Sequence, residues 1–231
     1  MTKSIRTSLV AVTLALFLVA ADKPLFQKWI SPDHFDERAI MGEPPKDDSP
    51  EHQEEIATML SLQEHRTKEE IERCKSEENV TVFAFASVLG DDFNEKHYPL
   101  TAALMSEVYD QTKAVSAWGK NVWKRPRPYV AEPRIQICVK PENSFSYPSG
   151  HATRGIVWAT LLAEIYPDQK EKLMAKGREI GTDRSLAGAH WPSDVVAGQK
   201  LGAAVAEQLL KDKNFQEELA KVKDELLAVH H

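Results

Sequence analysis

Apolar positions recur along most of this chain at helical rather than strand spacing. Leu100, Leu104, Val108 and Val115 share one face of a 3.6-residue period, which predicts a long helix from about Pro99 to Trp123. Residues 152–165 are almost wholly apolar and stop before Pro167, the pattern of a central helix buried on all sides. An amphipathic helix follows over residues 168–180. Ser193-Asp194 begin another, with Val195, Val196, Leu201, Ala204 and Val205 inward, and a charged helix covers residues 214–229. Upstream, Ser49-Pro50 supply a cap and first residue for a helix carrying Ile56, Met59 and Leu60. Thr67-Lys68-Glu69-Glu70 has capping-box form for a shorter one. Residues 79–89 read two ways: Val80, Val82 and the aromatics favour a strand, whereas Gly90 marks a helix end. Strands alternating with helices are absent, which argues against a doubly wound sheet. The expected fold is all-α, a single-domain helical bundle over residues 51–231.

The first 50 residues break the pattern. Lys3 and Arg6 precede an apolar run over residues 8–19, and Val19-Ala20-Ala21 present small residues before Asp22. Residues 1–21 therefore read as a signal peptide and the protein as periplasmic; an uncleaved anchor is the other reading. Nothing later approaches ~20 uninterrupted apolar residues, so no membrane association is expected after cleavage. Residues 22–50 hold five prolines (Pro24, Pro32, Pro44, Pro45, Pro50) and little periodicity, and are expected to form an irregular N-terminal arm on the surface.

Composition narrows the class. A chain of 231 residues with 42% hydrophobic content fits one sizeable domain. The net charge of −6 argues against a nucleic-acid binder, which needs a basic surface. Export shifts the reading of Cys74 and Cys138 toward a disulfide, although two separate buried thiols remain open. Neither lies in a zinc-ligand spacing.

Three segments set polar residues against apolar helices: Lys120 to Pro128, Tyr147-Pro148-Ser149-Gly150-His151, and Arg184 to Asp194. Singly, each has an ordinary explanation. Lys120 and Arg127 suit a helix C-terminus, Ser149-Gly150 a helix start, His151 a helix-end position, and His190 with Asp194 a surface i,i+4 pair. Together they form a different set. Lys120, Arg127 and Arg184 are cationic donors, two of them guanidinium forks matched to phosphate oxygens. Ser149 and Gly150 bring a hydroxyl and backbone N–H groups to a helix N-terminus, which favours an anion. Two histidines remain, and Asp194 stands one turn from His190. This is the inventory of metal-free phosphoryl transfer through a covalent intermediate.

The order and spacing of Lys120…Arg127-Pro128, Pro148-Ser149-Gly150-His151 and Arg184…His190…Asp194 resemble the type 2 phosphatidic acid phosphatase superfamily, which includes vanadium haloperoxidases. Size, leader and arm are similar to its class A bacterial non-specific acid phosphatases. The resemblance implies hydrolysis of small phosphomonoesters, with phosphotransfer as a side activity. It implies a phosphohistidine on His190, a tautomer set by Asp194, and proton transfer by His151. Lys120, Arg127, Ser149, Gly150 and Arg184 would hold the phosphate, with neither metal nor cofactor. A vanadate-dependent haloperoxidase and a non-catalytic periplasmic phosphate-binding protein are the alternatives; the second would not need His151. Oligomeric state stays open. Asp183 departs from the family pattern, which has serine there, and Glu77-Glu78-Asn79-Val80 replace a Ser/Gly-rich stretch.

Overall fold

The N-terminal arm carries a short helix, α1 (Glu37–Met41), where the proline content had suggested only irregular chain. Asp36 caps it, its Oδ1 accepting from Ala39 N at 3.0 Å, and the buried Met41 draws it onto the bundle. The computed structural model describes residues 28–228, so the leader expected at residues 1–21 lies outside it. After α1 come α2 (Pro50–His65), α3 (Lys68–Ser76), α4 (Ala86–Leu89), α5 (Pro99–Trp123) and α6 (Pro128–Ala131). The chain then forms α7 (Gly150–Ile165), α8 (Lys170–Leu186), α9 (Pro192–Lys211) and α10 (Lys213–Ala228). There is no strand among the described residues; the fold is all-α, as the periodicity requires.

Local signals set most boundaries. Ser49 caps α2, and Thr67 with Glu70 closes the capping box of α3. The ambiguous residues 79–89 form a 3-10 turn, Val82–Phe85, running into α4. Thr81 caps that turn, and Gly90 ends α4 at φ 99°. Two α10 carboxylate oxygens cap α5: Glu225 accepts from Leu100 N and Thr101 N, each at 2.8 Å. Helix α8 runs on past residue 180 to Leu186, so Arg184 belongs to its last turn rather than to the entry of the next helix.

Helix α7 is the axis of the bundle. Ala152, Val157, Ala159, Leu161 and Leu162 are wholly buried, and α5, α8 and α9 pack around them. Glycine lets α8 and α9 come this close. A Cβ on Gly155 of α7 would stand 2.5 Å from Gly177 O of α8, and a Cβ on Gly198 of α9 would overlap Ser149 O. These contacts fix the N-terminus of α7 against the start of α9, where the polar segments meet.

Candidate active site

The turn between α8 and α9 places His190. Arg184 O accepts from Ala189 N at 2.9 Å and from His190 N at 3.2 Å, while Gly188 turns the chain at φ 81°. One turn on, Asp194 of α9 accepts from Trp191 N at 2.9 Å. His190 Nδ1 faces Asp194 Oδ2 and Ser146 Oγ, each at 3.4 Å. Arg127 Nη1 donates to His190 Nε2 at 3.2 Å. These partners place the ring proton on Nδ1 and leave the Nε2 lone pair toward the cations. Burial, then Arg127, Lys120 and Arg184, hold the ring neutral well below the usual histidine range.

Behind Asp194 lies a buried charge network that sequence reading missed. Ser146 Oγ donates to Asp194 Oδ2. Arg125 Nη1 donates to Asp194 Oδ1 at 2.6 Å, and its Nη2 to Glu55 Oε2 at 2.5 Å. Glu55 Oε1 accepts from Ser193 N at 2.9 Å. The Arg125 guanidinium stacks on Trp191, 5.3 Å from the ring centroid. The repeated Arg-Pro of residues 125–128 was the available signal. Glu55, one turn before the buried Met59, carried none.

The expected cations converge on His190. Arg127 donates through Nε to Ser144 O at 2.8 Å and through Nη2 to Glu142 Oε2 at 2.7 Å. Lys120 Nζ donates to Phe145 O at 2.7 Å; burial, then the neighbouring Arg127, brings its ammonium down to about 8. Arg184 Nη2 donates to Cys74 O at 2.6 Å, and its buried Nε has no hydrogen-bond partner. Ser149 caps α7, and a Cβ on Gly150 would meet nothing within 4 Å, which leaves room beside the helix N-terminus.

His151 lies in the first turn of α7. Its Nε2 donates to the carbonyls of Glu77 and Glu78 at 3.2 and 3.3 Å, and its Nδ1 accepts from Arg154 Nη2 at 3.0 Å. Burial, Arg154 and Arg184 keep it neutral well below the usual range. His151, Arg154 and Arg184 line a cavity of about 710 Å³ with Val82, Tyr109 and Trp158. Arg154, a charge inside the apolar run of α7, was missed as well, although that interruption was legible.

Asp183 turns its carboxylate onto Arg73 of α3, not onto Arg184. Glu77, Glu179 and Asp183 form an acidic trio, and it closes on cations of the chain: Lys176 meets Glu77 at 2.9 Å and Glu179 at 2.6 Å. Cys74 and Cys138 are free thiols packed in one cluster, and the Cys74 thiol donates to Asp183 O at 3.3 Å.

A family model described as the PAP2 superfamily matches residues 98–215, the span holding every one of these expected polar residues except Cys74. The chain belongs to the PAP2 superfamily. It is similar to the non-specific acid phosphatase of Salmonella typhimurium, at 35% identity over 147 residues covering 62% of this chain and 59% of that one. The non-specific acid phosphatase of Providencia stuartii matches at 32% over 147 residues, with the same shares. The acid phosphatase of Zymomonas mobilis matches at 37% over 112 residues, 46% of this chain and 42% of its own. The matched region thus spans less than two thirds of these relatives' own length. Among solved structures, a transmembrane PAP2-type phosphatidylglycerolphosphate phosphatase from Bacillus subtilis shares the fold. Its TM-score is 0.51 at 20% identity, covering 74% of this chain and 89% of that one. In this PAP2 chain no helix of the described residues is long and apolar enough to cross a membrane.

Proposed function

We propose that this PAP2 protein is an exported acid phosphatase that hydrolyses small phosphate monoesters through a phosphohistidine on His190. The observation that carries the reading is the imidazole itself. Its Nδ1 is turned to Asp194 at 3.4 Å, and its Nε2 lies 3.2 Å from Arg127. A neutral, oriented nucleophile surrounded by phosphate-binding cations suits phosphoryl transfer through a covalent intermediate at acid pH.

In the first step His190 Nε2 forms a bond to phosphorus as the P–O ester bond breaks. The electron pair leaves on the ester oxygen, which takes a proton from His151. Lys120, Arg127, Arg184, Ser149 and the Gly150 N–H hold the equatorial oxygens, whose charge grows in the transition state. Binding of the phosphate dianion offsets the field of the nearby arginines and favours the protonated His151 needed here. In the second step water attacks phosphorus, the P–N bond breaks, and His151 takes the proton of the water. The basic and apolar run of residues 1–21 supports export to the periplasm.

The test is hydrolysis of p-nitrophenyl phosphate and ethyl phosphate from pH 4 to 8, with and without EDTA. Acid-labile phosphate should be trapped on His190 after rapid mixing. His190→Ala should abolish turnover and trapping together; a phosphoenzyme in that variant rejects the assignment.

A further inference from the structure

Arg154 has no place in the phosphate cradle described above, yet it lines the same cavity as His151 and Arg184. Its Nη2 lies 3.0 Å from Nδ1 of His151, the residue proposed above to protonate the leaving group. Its guanidinium carbon stands 4.7 Å from the centroid of the Tyr109 ring. Its buried Nε has no hydrogen-bond partner. Glu142, whose carboxylate acts on it through space, is committed to Arg127 Nη2 at 2.7 Å. A guanidinium withdrawn from water, with its fork incompletely paired, has a strong affinity for a carboxylate or phosphate that can reach it. Lys113 and Lys140 line the same cavity at its exposed side, together with Glu78, Glu95 and Glu142, so the buried positive charge of the lining is that of Arg154 and Arg184.

We propose that Arg154 holds a second anionic group of the substrate. The site would then take phosphomonoesters whose leaving group carries a carboxylate or a second phosphate within a few atoms of the ester oxygen. The inference rests on the phosphatase reading, because it needs the transferred phosphoryl group to sit at His190. The second anion also serves the chemistry. By pairing with Arg154 it relieves the positive field 3.0 Å from His151 Nδ1, so the proton donor is charged most readily when such a substrate is bound. A large cavity with apolar walls at Val82 and Trp158 accommodates the short carbon link between the two anions.

Two measurements test this. The first is kcat/KM for 2-phosphoglycolate against ethyl phosphate, and for 1,3-propanediol bisphosphate against propyl phosphate, in the wild-type protein and Arg154→Gln. The wild type should favour each partner that carries the second anionic group by about 10- to 100-fold, the value of a charge-assisted hydrogen bond pair, and Arg154→Gln should bring the ratio within threefold of one. The carboxylate and bisphosphate arms show which second anion is preferred. The second is calorimetric binding of phosphonoacetate against ethylphosphonate, which needs no turnover. Arg154→Lys keeps the charge without the fork and stands in if the glutamine variant does not fold. Hydrolysis of ethyl phosphate with no preference for 2-phosphoglycolate or the bisphosphate overturns the Arg154 subsite and leaves the phosphatase reading standing. Tight, Arg154-dependent binding of phosphonoacetate without hydrolysis of any ester does the reverse. Equal affinities for both phosphonates in the wild type overturn the subsite outright.

Discussion

Arg73 and Asp183 meet in a bidentate pair, Nε to Oδ2 at 2.6 Å and Nη2 to Oδ1 at 2.9 Å. The carboxylate is buried on α8 while the guanidinium is partly exposed on α3. The acid beside Arg184, the proposed phosphate ligand, is thereby turned away from it. It instead ties α8 to α3, whose Cys74 O holds Arg184 Nη2 at 2.6 Å.

Asp183→Ser should therefore act on stability more than on phosphate binding. Removing the buried carboxylate leaves a partly exposed guanidinium that water can serve, at a cost of about 1–3 kcal/mol. Thermal unfolding should show a fall of several degrees, with kcat/KM on p-nitrophenyl phosphate within threefold of wild type. A drop in kcat/KM of tenfold or more with unchanged melting would mean that Asp183 acts on Arg184 directly.

Arg125 positions Asp194 and not the substrate. Arg125→Met should leave Asp194 and Glu55 as buried charges without their guanidinium, and the unshared negative charge on Asp194 should raise the proton affinity of His190. The acid limb of kcat/KM should move toward neutral pH and kcat should fall by roughly 10- to 100-fold. Arg125→Lys should recover part of both. An unmoved acid limb with lowered melting would reduce Arg125 to a purely structural role.

The pH profile follows from directions of shift. His190 stays neutral well below the usual histidine range, so activity that depends on it as the proposed nucleophile should survive into acid. Lys120 gives up its charge as pH rises through about 8, so KM should climb on the alkaline side, and Lys120→Arg should push that limb upward. Stability has the opposite sense. Both histidines bind fewer protons folded than unfolded, so the stability they contribute is present above the unfolded value of about 6.5 and lost as pH falls toward their folded values. Chemical denaturation at pH 7 and pH 5 should show the drop, and His151→Gln should lessen it.

Cys74 and Cys138 already pack in one cluster, and oxidation should join them. The bridge would close a loop of roughly 60 residues, for which chain entropy gives about 4 kcal/mol before strain. Alkylation of the oxidised, unreduced protein followed by mass analysis should find neither thiol free. Because Cys74 O carries Arg184, reduction should also raise KM for phosphate esters. Two alkylated cysteines after full oxidation would reject the bridge.

Long apolar periods determined the helical class, because a 3.6-residue stripe of Leu and Val can be buried only by a helix. The run at residues 152–165 became the buried axis α7 for that reason. The residue types of Lys120, Arg127, His190 and Asp194, and the likeness of their order and spacing to a known family, also singled out the polar set. Short segments were harder. Residues 79–89 carry too few positions to separate a strand from a 3-10 turn, and α1 hides among prolines. Only tertiary structure decided where the charges point. Asp183 faces Arg73, Arg125 joins Asp194 to Glu55 across 69 and 70 residues of chain, and Arg154 reaches His151 at the cavity wall. Hydrogen-bond and ion-pair partners depend on how α2, α3, α8 and α9 pack around α7, and glycine contacts such as Gly155 with Gly177 set that spacing. Side-chain type along a chain names the donors and acceptors; the packed backbone alone selects which of them meet.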